Sequence, residues 1–290
     1  MTDALTNLLS LLDLEELGTD LYRGRTTSEP GSRVYGGHVA AQALMAAGRT
    51  VPGRSAHSLH AYFLRPANPA LSIDYTVDRI RDGKSFATRL IVASQRGEAI
   101  LNLSASFHAA EPGLVHQVAM PKTPPPEQCP SVQEWMKPFV EQLPPDISSH
   151  LIRERPIELR PVDPMDLLAP KPLGREQSYW IRAGGPMPDD PLVHECVAVY
   201  ASDSTLIDAL LRPHGKTFLS RDIVAASLDH AMWLQRPFRM DEWILFYQAS
   251  SAAFGARGLA FGHFFTRDGV LVASVAQEGL IRPVDAPFRT

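Results

Sequence analysis

The stretch His194–Leu211, HECVAVYASDSTLIDALL, has no internal glycine or proline and reads as helix by the spacing of its apolar residues. Val199, Leu206 and Leu210 fall on one stripe, and Asp203 falls on the same stripe. A carboxylate on an inward face is costly unless it is hydrogen-bonded or protonated. Asp203 is therefore a candidate for chemistry. A second reading breaks the helix at Tyr200-Ala201-Ser202 and leaves Asp203 to cap a shorter helix, STLIDALL, which needs no function.

Other reactive combinations are weaker. Asp229-His230 beside Ser227 looks like a triad, but strand neighbours point to opposite faces, which puts His230 away from Ser227. No Gly-x-Ser-x-Gly elbow exists to expose a nucleophile. His194-Glu195 begins a zinc-protease motif, yet Ala198 stands where the second ligand belongs. No metal site and no cofactor are expected. Gly255-Ala256-Arg257-Gly258 is too short for a phosphate loop.

Elements to position such residues can be read along the chain. Leu5, Leu8, Leu9 and Leu12 have the spacing of a one-sided helix. Tyr22–Thr27 reads as a short strand, and Pro30-Gly31 as a loop. Gly36-Gly37 opens an Ala-rich helix, HVAAQALMAAGR. Four strands follow: HSLHAYFLRP, LSIDYTVDRI, SFATRLIVAS and EAILNLSASFH. From Glu111 to about Ser149 the chain is proline-rich, with one short helix at SVQEWMKPFVEQL. Ile157–Pro161 and Gln177–Arg182 are strands, and four more follow the Asp203 stretch: IVAASLDHAMWL, WILFYQASSAAF, GLAFGHFFTRDG and VLVASVAQEGLI.

Composition restricts the partners. The 290 residues suit one large or two smaller domains, and 44% hydrophobic with 21% charged residues is ordinary for a soluble globular chain. A net charge of −4 gives no hint of nucleic acid. No segment is apolar and long enough to span a membrane. The acidic N-terminus is no signal peptide. Pro287-Phe288-Arg289-Thr290 carries no peroxisomal tripeptide. Cys129 and Cys196, far apart, suit a reducing cytoplasm, which is the expected compartment.

The second half repeats the first. The hairpin turn Asp268-Gly269 aligns with Arg96-Gly97 at 269 − 97 = 172, and Arg65-Pro66 with Arg236-Pro237 at 236 − 65 = 171. Tyr35-Gly36-Gly37-His38 lies opposite Tyr200-Ala201-Ser202-Asp203 at 200 − 35 = 165, which favours the break and puts Asp203 in the first turn of the second-copy helix. A helix plus an antiparallel meander, twice, implies two copies of one domain.

These residues resemble the acyl-CoA thioesterase II family, nearly end to end. The matching segments are LLSLLDLEELGTDLYRG (Leu8–Gly24), YGGHVAAQAL (Tyr35–Leu44), SLHAYFLRP (Ser58–Pro66), ELRPVDP (Glu158–Pro164), YASD (Tyr200–Asp203), SLDHAMWLQRPF (Ser227–Phe238) and DGVLVASVAQEG (Asp268–Gly279). The resemblance implies an α+β double hotdog, each repeat an antiparallel sheet wrapped around a central helix. The expected division is an N-terminal hotdog domain over 1–110, a linker over 111–150, and a C-terminal hotdog domain over 151–290 with the catalytic residues.

It also implies hydrolysis of acyl-CoA to fatty acid and CoA by direct water attack, on Asp203, Ser227 and Gln277. Ser227 departs from the family's usual Thr and lacks the methyl that restrains the rotamer. Asp203 can take the water's proton, while Ser227 and Gln277 orient it. At the repeat offsets the trio pairs with His38, Ala56 and Ala105, so the polar set stands only in the second copy. His38, Arg65 and Arg257 are candidates for substrate binding. The sheet edges suggest a homodimer or homotetramer. The competing functions are a hotdog enoyl-CoA hydratase and a non-catalytic acyl-CoA-binding protein.

Overall fold

The computed structural model describes residues 1–26 and 33–284, apart from the side chains of residues 146, 147 and 150. Thr27, the loop at Pro30-Gly31 and the tail Pro287–Thr290 lie outside the described residues.

The alternating segments fold into strands. In the first half these are β1 (Glu15–Gly18), β2 (Leu21–Gly24), β3 (Ser55–Phe63), β4 (Ile73–Asp82), β5 (Phe86–Gln95) and β6 (Glu98–His108). In the second half they are β7 (Ile157–Pro161), β8 (Glu176–Ala183), β9 (Ile223–Ser227), β10 (Asp229–Leu234), β11 (Ile244–Phe254), β12 (Arg257–Thr266) and β13 (Leu271–Pro283). All pair antiparallel in one sheet, ordered β1-β2-β4-β5-β6-β3-β10-β13-β12-β11-β8-β7, with β9 also on β13. Outward from the β3–β10 pair, the order β6-β5-β4-β2 on one side matches β13-β12-β11-β8 on the other. Corresponding hairpins turn at Gly97 (φ 81°) and Gly269 (φ 89°), where the positive φ favours glycine. The two half-sheets are thus joined through their centre, and β1 and β7 end the strand order.

Helices α1 (Asp3–Leu12), α2 (Gly36–Arg49), α3 (Val132–Val140), α4 (Pro145–Ile152), α5 (Pro191–Ser202) and α6 (Leu206–Leu211) complete the fold. The proline-rich stretch holds α4 as well as the expected α3; its Pro145 stands in the first turn, where a missing N–H costs nothing. Small side chains let α2 be buried from Gly37 to Gly48. It packs on β3–β6, while the shorter α6 packs on β9 and β11–β13. Helix α5 runs antiparallel along α2. A Cβ at Gly48 would meet Leu192 at 2.5 Å, and one at Gly37 would meet the Tyr200 carbonyl at 2.7 Å. This close approach brings the end of α5 to the start of α2.

Neither sequence reading of the Asp203 stretch holds as stated. Helix α5 starts earlier, at Pro191, with Asp190 capping Leu192 N–H. It runs past Tyr200 to Ser202; Asp203 is its C-cap, and α6 begins after Thr205. Asp203 is therefore not in the first turn of a second-copy helix. Local polar bonds explain the break. Ser202 Oγ donates to Val199 O at 2.9 Å and Ser204 Oγ to Ala201 O at 2.7 Å, competing with continued helix.

Candidate active site

Asp203 is held from both halves of the chain. Ser227 Oγ donates to its Oδ1 at 3.1 Å, and the Gly37 backbone N–H donates to its Oδ2 at 2.8 Å. Gly37 lies in the first turn of α2, so the positive end of that helix faces the carboxylate. Tyr35 strengthens the junction: its hydroxyl donates to Tyr200 O at 2.7 Å and its ring meets the Tyr200 ring edge-on. Asp203 is 8% exposed. Burial raises its pKa above the ordinary carboxylate value; the nearby His230 and hydrogen bonds from Ser227, Gly37 and Gln277 pull it partly back.

Ser227 and Gln277 meet at an irregularity in the sheet. Ser227 lies opposite Gly279, but Ala231 lies opposite Ala276. Four steps along β9–β10 (231 − 227) face three along β13 (279 − 276), so one residue is extra, a β-bulge at Leu228-Asp229. Leu228 still uses its backbone: its N–H donates to Glu278 O at 2.9 Å and its carbonyl accepts from Phe63 N–H at 3.0 Å. Asp229 Oδ1 accepts from Glu278 N–H at 2.6 Å. Gln277, fully buried, projects beside the bulge, and its Nε2 donates to Ser227 Oγ at 2.8 Å.

The bulge also corrects the placement of His230. An extra residue reverses the side-chain alternation, so His230 turns inward with Ser227 and is buried at 1% exposure. Its Nδ1 lies 2.6 Å from Gln277 Oε1. An amide oxygen carries no proton, so Nδ1 is the donor in this assignment. Its Nε2 lies 2.8 Å from Ser202 Oγ. One continuous network therefore runs from Ser202 through His230, Gln277 and Ser227 to Asp203. His230 touches Gln277 and Ser202 and makes no hydrogen bond to Ser227, so the triad rejected from the sequence does not form here, although His230 does share the inner face.

The other candidate residues sit apart from this network. His38, one residue beyond Gly37, is buried with Nε2 3.2 Å from Arg25 O, and burial lowers its pKa. Arg65 Nη1 donates to Ala99 O, and exposed Arg257 pairs with Glu278. Two cavities adjoin the centre. One of about 380 Å³ is lined by Arg33, Tyr35, His38, Arg153 and Ser204. The other, of about 470 Å³, is lined by Asp203, by apolar side chains of α3 and α6 and by Ala225, which shares a strand face with Ser227. The basic residues at the first cavity were invisible to spacing because they come from distant segments.

A sheet of this order, with a helix on each half and a polar cluster between the helix ends, is a double hotdog with one built centre. Family models agree: residues 25–108 match "Acyl-CoA thioesterase N-terminal domain" and residues 148–280 match "Acyl-CoA thioesterase". Acyl-CoA thioesterase 2 of Haemophilus influenzae is 37% identical, over 97% of this chain and 99% of its own. Human acyl-coenzyme A thioesterase 8 is 38% identical, over 94% and 88%. The crystal structure of the acyl-CoA thioesterase II TesB2 from Mycobacterium marinum superposes with a TM-score of 0.79 at 41% identity, covering 97% of this chain and 99% of that one. A hot dog fold protein from Alicyclobacillus acidocaldarius, 18% identical with a TM-score of 0.75 over 99% and 100%, shares the fold. The chain belongs to the acyl-CoA thioesterase II family.

Proposed function

We propose that this chain hydrolyses acyl-CoA to a free fatty acid and CoA by direct attack of water, with Asp203 as the base. The carrying observation is the hydrogen-bond chain from Gln277 Nε2 to Ser227 Oγ and from Ser227 Oγ to the buried Asp203 carboxylate. Water attacks the thioester carbon while Asp203 takes its proton. The second N–H of Gln277 Nε2 is available to the water or to the developing oxyanion. Collapse breaks the C–S bond, and the proton on Asp203 passes to the leaving sulfur. Ser227 serves as a positioning group: its proton goes to Asp203 and its lone pair receives Gln277. His230 positions Gln277 by fixing which end of the amide faces Ser227.

The remaining assignments follow the same reading. Residues 1–110 and 151–290 are the two hotdog domains, joined by 111–150, and only the second carries the catalytic set. Ala56 and Ala105, both buried, stand in the first half at the repeat positions of Ser227 and Gln277. His38 lines the CoA side of the cleft. Arg33 and Arg153 replace Arg65 and Arg257 as the phosphate contacts, because their cavity opens beside Ser204. The edges β1 and β7 favour assembly into a homodimer or homotetramer. Two buried free cysteines fit the cytoplasm.

The test is release of free thiol from acyl-CoA, followed with a thiol reagent, alongside rapid quench and intact-mass analysis. Thiol release lost in Asp203→Asn, with no acyl group on the protein, is the expected result. An acyl group trapped on Ser227 would overturn direct water attack. Acyl-CoA binding without thiol release would overturn the enzyme.

A further inference from the structure

The hydrogen-bond chain through the candidate centre has fixed ends, so its protons can be counted. Val199 O stands at one end, 2.9 Å from Ser202 Oγ. In a continued helix the Asp203 N–H would bond Val199 O, but it donates to Ala201 O instead. Val199 is fully buried, so its carbonyl depends on the Ser202 proton. A serine hydroxyl has only one proton to give. With that proton on Val199 O, Ser202 Oγ can only accept from His230 Nε2 at 2.8 Å, so Nε2 is protonated.

Asp203 stands at the other end. Its Oδ1 accepts the Ser227 hydroxyl and its Oδ2 accepts the Gly37 N–H. Ser227 Oγ, having given its proton, accepts from Gln277 Nε2. That turns Gln277 Oε1 toward His230 Nδ1 at 2.6 Å, and Nδ1 must be protonated as well. Turning the amide end for end would free Nδ1 of its proton. Ser227 would then donate to Gln277, and Asp203 would need a proton of its own and could not act as a base.

We infer that His230 is an imidazolium in the resting protein and serves as the buried counter-charge of Asp203, linked to it through Gln277 and Ser227 rather than by contact. Its effect on rate rests on the thioesterase reading above; its ring protons do not. His230 is then a positioning residue in two ways. It holds the Gln277 amide, and it keeps the carboxylate ionised where burial penalises charge. Burial raises the Asp203 carboxyl, and the His230 charge is the largest influence against that rise. The other ionisable groups about the network are Tyr35, His38, Tyr200, Asp229 and Arg155. Burial and the Asp203 charge keep the Tyr35 hydroxyl protonated, and burial lowers the pKa of His38. Asp229 Oδ1 is taken by the Glu278 N–H. Arg155 lines the cavity beside Asp203.

Nitrogen NMR of the full chain with isotope-labelled histidine, at neutral pH and without substrate, reads the ring directly. Proton contacts with the Gln277 side chain identify His230. Two ring N–H groups are expected. One on Nδ1 alone would mean that the Ser202 proton points at His230. One on Nε2 alone would mean that Gln277 is turned and Asp203 protonated. Either result overturns the inference. Kinetics separate the charge from the hydrogen bond. His230→Asn keeps an N–H for Gln277 but no charge. It should move the acid limb of kcat/KM for a saturated acyl-CoA to higher pH by roughly one unit. A limb left in place would reduce His230 to a hydrogen-bond donor and overturn the inference. If the variant does not fold, the wild-type spectrum decides alone. Absence of thiol release from wild type would remove the thioesterase reading and leave the ring protons to be judged by the spectrum.

Discussion

The backbone N–H of Gly37 donates to Asp203 Oδ2 at 2.8 Å across 166 residues of sequence. The helix terminus of the first half thus holds the buried carboxylate of the second. On the proposed reading, with Asp203 as the base, this bond couples the two halves into one functional unit.

Asp203→Asn should lower kcat by about 10²–10⁴, the usual cost of a general base. Stability should move the other way. The folded pKa of Asp203 is raised by burial, so its contribution is fully present below the ordinary carboxylate pKa and is lost as pH rises through the folded value. Asn carries no charge and escapes that loss. The Tm advantage of Asp203→Asn over wild type should therefore be small in acid and grow toward neutral pH. Thermal melts at stepped pH read this directly; an advantage that shrinks with rising pH would contradict the burial argument.

Gly36 is fixed by contact rather than by backbone conformation. A Cβ there would lie 2.8 Å from the Phe63 ring and 2.9 Å from Asp203 Oδ2. Gly36→Ala must displace one of them. A shift of the base by a fraction of an ångström should cost roughly 10²-fold in kcat/KM, with a much smaller effect on Tm. Steady-state kinetics beside a melting curve separate the two. Unchanged kcat/KM would mean that Phe63 yields and Asp203 does not move.

His230 should behave as a positioning residue. His230→Phe removes the Nδ1–H that holds Gln277 Oε1 at 2.6 Å. The expected loss is roughly tenfold in kcat, in line with one hydrogen bond, with KM little changed. His230→Asn can place an N–H near the same oxygen and should recover part of the rate. In a Gln277→Ala background the further change His230→Phe should cost little, because the group it orients is gone. Additive losses in this double-mutant cycle would assign His230 to general packing instead.

Most of the sheet was legible from alternation, because a half-buried strand shows its inner face every second residue. Asp203 stood out by its place on an apolar stripe, but Ser227 and Gln277 were singled out only through resemblance, because the three lie on separate elements and no spacing rule connects them. His230 was hidden by a single residue. The bulge at Leu228-Asp229 leaves no glycine or proline signal, yet it reverses which face His230 takes. The end of α5 was hidden for a related reason. Ser202, Asp203 and Ser204 are tolerated in helices, and only their bonds to Val199 and Ala201, together with the bond from Gly37, end the helix there.

Glu195 gives a pH-dependent prediction away from the catalytic centre. It lies in the second turn of α5, is 7% exposed, and its Oε2 accepts the Ala56 N–H at 3.2 Å. Burial pushes its carboxyl up to about 7, against the pull of the Ala56 and Ser55 hydrogen bonds and with a push from Asp190. Because the folded pKa is raised, the protonated form is favoured in the fold. The stabilisation is complete below the ordinary carboxylate value and disappears as pH rises through about 7. The rise from the ordinary carboxylate value to about 7 is worth about 3 kcal/mol at alkaline pH by the linkage constant. Glu195→Gln keeps an amide oxygen for the Ala56 N–H and never ionises. It should match wild type in Tm at pH 5 and exceed it by several degrees at pH 8. Turnover at the optimum should not change, since Glu195 reaches Ala56 rather than Ser227. A Tm gain equal at both pH values would show that the benefit is packing and not ionisation, and a loss at pH 8 would show that the carboxylate is satisfied where it stands.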